Sequence, residues 1–245
     1  MTPTRASNEI AHGRQLAAAG ADAVWGWASA AGQARARRRA AWIAQAAQLS
    51  AGARVLELGC GTGLFTQHFA ATGADITAID ISDELIGVAR QRGLPANVHL
   101  LCTSFERYAP DAPFDAVIGS SILHHLELRP ALTRMVKVLR PGGVIGFGEP
   151  NMLNPQIAAQ KNLPWVRRRA GDSADETAFV RYQLRAAVEA AGFTEVSITP
   201  RDWLHPRTPS MMISAVQRLE PVLESLPLLR EFAGSLYIVA RKPVH

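Results

Sequence analysis

Between residues 54 and 147, short runs of consecutive apolar residues alternate with stretches of helical spacing. Residues 54–58, 75–79, 98–101, 114–119 and 144–147 each read as a strand. Between them, residues 64–71, 83–92 and 130–139 have helical spacing, with Ser82 placed to cap the second helix. Arg140-Pro141-Gly142-Gly143 marks a turn before the fifth strand. Upstream, residues 9–49 are Ala-rich, with few breakers beyond Gly13, Gly20, Gly26 and Gly32. They predict two or three helices with Val24, Trp25, Trp27, Trp42, Ile43 and Leu49 as apolar positions. Downstream, residues 150–175 are irregular, and a helix is expected over 176–191, ended by Gly192. A strand over 195–199, an insertion at 202–232 and a last strand over 235–240 follow. Strands alternating with helices imply an α/β fold, a mainly parallel sheet covered on both faces.

Composition narrows the class. The 245 residues are 48% hydrophobic and 19% charged, an ordinary globular mix that argues against global disorder. No apolar run reaches the length needed to span a bilayer, and the N-terminal stretch lacks the continuous apolar core of a secretory signal. Cys60 and Cys102 are the only cysteines, which does not make a disulfide scaffold, so the expected location is cytoplasmic. The net charge of +5 is uneven: Arg5, Arg14, Arg35, Arg37, Arg38 and Arg39 stand against two acids in residues 1–51. A second basic cluster is Arg167-Arg168-Arg169. Such clusters can bind a polyanion or form solvated helix faces. Charge alone is a weak signal, and nucleic acid is not the expected partner.

Val55-Leu56-Glu57-Leu58-Gly59-Cys60-Gly61-Thr62-Gly63 is the most informative segment. A buried strand runs into glycines at alternate positions and then into a helix, whose first turn offers free N–H groups. A dinucleotide fold wants a small residue where Leu64 stands, and no G-K-[ST] is present for a P-loop. Asp80 closes the second strand, where a carboxylate can accept both hydroxyls of an adenosine ribose. Ile81 next to it offers an apolar face to adenine.

With these motifs in their order, residues 54–149 resemble the core of the class I S-adenosylmethionine-dependent methyltransferases of the small-molecule type. VLELGCGTG corresponds to the family's first motif and Asp80 to its ribose-binding acid. Phe114-Asp115-Ala116-Val117-Ile118 matches the fourth strand, and Leu139-Arg140-Pro141-Gly142-Gly143 the turn before the fifth. The resemblance implies a doubly wound, seven-stranded, Rossmann-like sheet with its last strand antiparallel, and S-adenosyl-L-methionine as cofactor. It implies an N-terminal helical cap over 1–51 and a cofactor-binding core over 52–149. Residues 150–245 then supply a helical or irregular lid and the last elements of the sheet. Glu57, Gly59 and Gly61 are expected around the methionine end, Asp80 and Ile81 at the nucleoside, and Ser120 near the sulfonium. Ser104 stands where the family often has an acid beside the adenine amine, and Phe105 follows it. The fourth strand does not end in the N/D-P-P-Y signature of many enzymes that methylate amines in nucleic acids or proteins.

Methyl transfer to a hydroxyl needs a base near neutrality, and His124 and His125, after the fourth strand, are the candidates, His125 slightly preferred. Paired histidines can equally be structural. Glu149, at the end of the fifth strand, can orient a substrate hydroxyl or amine, or bond backbone in the loop. Cys60 reads as a small buried residue and Cys102 as strand core. No His/Cys/Asp spacing suggests a metal ligand set. The expected substrate is a small metabolite, aromatic or polyketide-like, for which Trp25, Trp27, Trp165, Trp203, His205, Met211 and Met212 are candidate contacts; each can equally close the core against the appended helices. Segment 211–229 can act as a lid, mediate a homodimer or touch a membrane surface. Glu220, Glu224, Pro221 and Pro227 count against the membrane.

Overall fold

The computed structural model describes residues 5–163, 165 and 177–244. The Arg167–Arg169 cluster and the first residue of the expected helix at 176 lie outside these residues. One sheet holds β1 (Arg54–Leu58), β2 (Asp75–Asp80), β3 (Val98–Cys102), β4 (Phe114–Ser120), β5 (Leu139–Pro150), β6 (Thr194–Arg201) and β7 (Ser235–Arg241). The order is β3-β2-β1-β4-β5-β7-β6. Strands β1 to β5 pair in parallel, and β7 runs antiparallel to both of its neighbours. This is the doubly wound, mainly parallel sheet that the alternation of elements implies.

Both faces of the central strands are buried, which is why they read as continuous apolar runs. From β1, Leu56 and Leu58 join a cluster with Leu132 and Met135 of α6 (Leu128–Val138) and Leu184 and Val188 of α8 (Arg181–Ala190). Val55 faces the other way, toward Phe65 and Phe69 of α4 (Leu64–Ala70) and Ile43 of α3 (Ala30–Ala46). Helix α5 (Asp83–Arg90) starts where expected: the Ser82 side chain accepts from the Leu85 N–H at 3.3 Å. Its first turn carries Asp83 and Glu84 and its last turn Arg90, matching the helix dipole.

Three expectations are corrected. Residues 140–143 belong to β5, which starts at Leu139; a register shift between Phe114 and Ala116 absorbs the irregularity. The downstream helix begins only at Arg181, because Val180 is extended. Between β5 and α8 lies α7 (Pro155–Asn162), and the expected insertion 202–232 holds the helix α9 (Ser210–Ser225). Cys102 is exposed rather than strand core, because β3 is an edge of the sheet.

The Ala-rich helix α3 lies close on the sheet, with Ala36, Ala40 and Ile43 packed on Val55, Ala116 and Ile118. Gly148 of β5 makes room for Arg39, since a Cβ there would stand 2.8 Å from Arg39 Cδ. Arg39 is 1% exposed. It donates to Asp202 at 2.8 Å and to the Ser120 hydroxyl at 3.0 Å. Asp202 also accepts from the Tyr237 hydroxyl at 2.8 Å and from Arg35 at 3.4 Å. Burial alone would raise the Asp202 pKa, but Arg39 and Arg35 outweigh it and hold the carboxyl well below the usual range. Arg38 pairs with Glu220 at 3.0 Å and Glu224 at 2.7 Å. The N-terminal basic cluster is therefore mostly turned inward, and of its four α3 arginines only Arg37 is exposed. That removes most of the charge a polyanion site would have used.

Glu57 is a second buried ionisable group, with Oε2 lacking a hydrogen-bond partner. Burial, only partly offset by the Thr66 hydroxyl and reinforced by Asp80, pushes its pKa up to about 8.

Two expectations follow for stability. Arg39→Ala leaves Asp202 buried without its main partner and costs about 3–5 kcal/mol, whereas Arg37→Ala on the exposed face stays within about 0.5 kcal/mol. Urea midpoints check this, and equal midpoints for the two variants would contradict it. Between pH ~4.5 and about 8 the native state holds a Glu57 proton that the unfolded chain has released, so this group lowers stability as pH rises. Glu57→Gln should gain on the wild type steadily across that window in unfolding titrations. A gap independent of pH would rule the raised pKa out.

Candidate cofactor and active site

The strand order reverses between β1 and β4, and ligands of open α/β sheets bind in the crevice outside the strand ends at such a point. Here β1 leads into the glycine bend and β4 into Ser120, Ser121 and Ile122. Gly59 has φ +62°, and a Cβ on it would lie 2.4 Å from Ile122 Cδ1, so only glycine fits between the two chain ends. The register pairs Leu58 with Ile79, so Gly59 and Asp80 leave the sheet side by side. Asp80 Oδ2 accepts from the Gly61 N–H at 2.9 Å, and Oδ1 from the Ser82 N–H at 2.9 Å. Burial raises the Asp80 pKa, against the opposing pull of these N–H groups and of nearby His125.

A cavity of about 1690 Å³ opens over this crevice. Gly59, Gly61, Asp80, Ile81, Ser104, Phe105 and Ser120 all line it. Each Asp80 oxygen takes one N–H and keeps acceptor capacity. With Ile81 and Phe105 supplying apolar surface, this donor and acceptor set fits a nucleoside with a free ribose diol. Phe105 is also core, 4% exposed, under the guanidinium of Arg134 at 5.5 Å. Cys60 is buried in the bend, and burial pushes its thiol pKa well up, so it is no nucleophile.

Two expected site residues do not reach the cavity. Glu57 is on β1 but faces α4, beneath the bend, because its strand parity is that of Val55. Glu149 is fully buried. Its Oε1 accepts from the Ile122 and Leu123 N–H groups at 2.8 Å each, and its Oε2 meets His124 Nδ1 at 2.7 Å. Of the two roles open to Glu149, the geometry leaves the backbone-bonding one, with His124 added. Burial would raise its pKa, but His124 and the two N–H groups outweigh that and keep the carboxyl low.

His124 and His125 sit in a 3-10 turn after β4, and both line the cavity. Their ring centroids are 4.2 Å apart. His125 Nδ1 lies 2.9 Å from Glu9 Oε2 of α1 (Arg5–Ala19). Sequence reasoning missed Glu9, and no local signal marks it, because its partner is over a hundred residues away. The N-terminal helices roof this end. Leu16 of α1 and Ala21 of α2 (Ala21–Val24) pack on Leu85. Thr62 of the bend donates to Asp22 of α2 at 2.6 Å, and Arg92 pairs with Asp22 too.

Trp25, Trp27, Trp165, Trp203 and His205 also line the cavity, and the Trp25 ring stands over the glycine bend, 3.3 Å from where a Gly61 Cβ would lie. Burial, with the charges of Arg207 and Arg35, lowers the His205 pKa. Met211 and Met212 do not line the cavity; both face solvent on α9.

The methyltransferase domain family model matches residues 55–143. A ubiquinone biosynthesis O-methyltransferase of Xanthomonas oryzae is 42% identical over 98 residues, 38% of this chain and 41% of the relative. The chain thus spans about two-fifths of the length of that relative. An uncharacterized methyltransferase of Mycobacterium bovis is 31% identical over 167 residues, 68% of this chain and 64% of the relative. Among solved structures, the DhpI–SAH complex superposes with a TM-score of 0.64 at 23% identity, covering 98% of both chains. Residues 55–143 thus carry a methyltransferase domain, and motif order and sheet topology agree with the fold of the class I S-adenosylmethionine-dependent methyltransferases.

Proposed function

We propose that the chain transfers a methyl group from S-adenosylmethionine to an oxygen or nitrogen of a small metabolite carrying an aromatic ring. The supporting observation is one cavity lined by the glycine bend and Asp80 together with Trp25, Trp27, Trp165 and Trp203. Its volume, about 1690 Å³, exceeds the ~300–1,000 Å³ of a single-ligand pocket and leaves room for an acceptor beside the cofactor. The name of the Xanthomonas relative, an O-methyltransferase, supports an oxygen acceptor.

The cofactor supplies an electrophilic methyl on a sulfonium, so the protein's work is alignment, exclusion of water and proton management. Asp80 would hold the ribose, Ile81 and Phe105 the adenine, and Ser104 its amine. Gly59, Gly61 and Ser120 would border the methionine and sulfonium end. Ser120 is held by Arg39, so its hydroxyl is oriented by the buried ion pair.

His125 is the proposed base. A carboxylate at Nδ1 orients an imidazole and keeps that nitrogen protonated, which leaves the opposite nitrogen to take the acceptor's proton. Glu9 supplies this carboxylate. Glu149 does the same for His124, which is more deeply buried and is assigned to positioning its neighbour. The roof formed by α1 and α2 keeps water from this end. The boundaries at 51 and 149 are proposed as the limits of the roof and the cofactor-binding core.

Incubation with methyl-labelled S-adenosylmethionine and a cell extract, followed by mass spectrometry, should place label on a small aromatic compound. Label confined to RNA or protein would overturn the substrate class. With the acceptor in hand, His125→Ala should lower kcat by about 10²–10⁴-fold while cofactor affinity stays in place, and Glu9→Gln should lower it less. An unchanged kcat would retire the base assignment.

A further inference from the structure

Helix α9 is built inside out. At about 100° per residue, its positions fall into three strips. Ile213, Val216, Glu220 and Glu224 face inward: Ile213 and Val216 pack on Leu204, and the two acids pair with Arg38 and Arg201. Glu220 is 2% exposed, and its carboxylate also accepts from the Trp203 N–H at 2.9 Å. Met211, Met212, Ala215, Leu219, Val222 and Leu226 share a second strip, roughly 100° wide, that is open to solvent. Ser214, Gln217, Arg218, Pro221 and Ser225 make the third, also exposed. Beyond the helix, Leu228, Leu229 and Phe232 extend the exposed apolar surface.

Surface helices normally bury their apolar strip and expose their acids. Here both acids are spent on the arginines of α3, and the outer surface of residues 210–230 carries no exposed acid. Its charges are basic: Arg218 makes no ion pair among the described residues, and Arg230 shares Glu231 with Arg181. The acids that in the sequence count against a membrane surface therefore do not face one.

We propose that the outer face of α9 docks on an anionic lipid bilayer, lying in the headgroup plane with Met211, Leu219, Val222 and Leu228 in the acyl boundary. Apolar side chains flanked by arginine, with no exposed acid, are the chemistry of an interfacial helix. A second copy of the chain fits less well. A two-fold axis through this strip would pass near Leu219, close to the middle of the helix. It would bring Arg218 toward its own copy with no acid to neutralise either. No helix among the described residues is long and apolar enough to cross a bilayer, so the contact is peripheral. Residues 203–207, which line the cavity, lead directly into α9, so docking would set that cavity wall beside the headgroups.

Flotation of the full chain with phosphatidylglycerol/phosphatidylcholine vesicles tests this. The wild type should float with these vesicles, and at least about tenfold less with phosphatidylcholine alone or in high salt. Met211→Asp combined with Leu228→Asp should abolish flotation. These sites are 91% and 83% exposed, so the thermal melt by circular dichroism should not move. Arg218→Gln should weaken partitioning about fivefold. Absence of flotation, or equal flotation of the double variant, would overturn the proposal. So would a dimer in light scattering that the double variant disrupts while no vesicle binds, which would assign the face to a second copy.

Discussion

Two parallel strands end level with each other, and the carboxylate at the end of one holds the bend at the end of the other. Asp80 takes the Gly61 N–H on one oxygen and the Ser82 N–H on the other. The first bond fixes a bend whose glycines at 59, 61 and 63 all have positive φ. The second fixes the entry to α5, where Ser82 caps the helix. Asp80 is half-buried, and the two backbone N–H groups oppose the rise in pKa that burial gives its carboxyl. What remains of its acceptor capacity is available to a ligand in the cavity. The site and the fold therefore share one carboxylate.

A second constraint lies beneath Ser120. Arg39 reaches through the space that Gly148 leaves open to join Asp202, Ser120 and the ring of Tyr237. It links the N-terminal helix, the end of β4, the chain after β6 and the last strand. A buried ion pair of this kind is weak evidence for net stability but strong evidence that removing one partner is costly. Its position explains why the N-terminal helices belong to the cavity rather than hanging from it. Their arginines hold the acids of residues 202–224, and their Glu9 and Asp22 meet His125 and Thr62.

Local signals carried the sheet well. Strand runs, the Ser82 cap and the glycine spacing are dictated by neighbours in sequence, so elements β1 to β4 and α5 were legible to within a residue or two. Asp80, Ile81, Ser104 and Phe105 all line the cavity, because a strand end in a parallel sheet has a known position. Side-chain direction was harder. Glu57 lies one strand parity away from the cavity, and Glu149 points into backbone N–H groups that only the tertiary fold brings to it. Glu9, Arg39 and Asp202 were invisible as a group, since their partners are distant in sequence. The arginine cluster reads as surface charge until the acids of α9 are seen turned toward it. The outward apolar strip of α9 was hidden for the same reason, because sequence alone does not tell which face of a helix with apolar residues on two sides is covered.

Isothermal titration of the purified chain with S-adenosylhomocysteine is the most direct test of the account. One site per chain, with no competition from NAD, is the predicted result. No heat of binding, or displacement by a nicotinamide dinucleotide, would contradict the claim that the bend between β1 and α4 is shaped for a sulfur nucleoside.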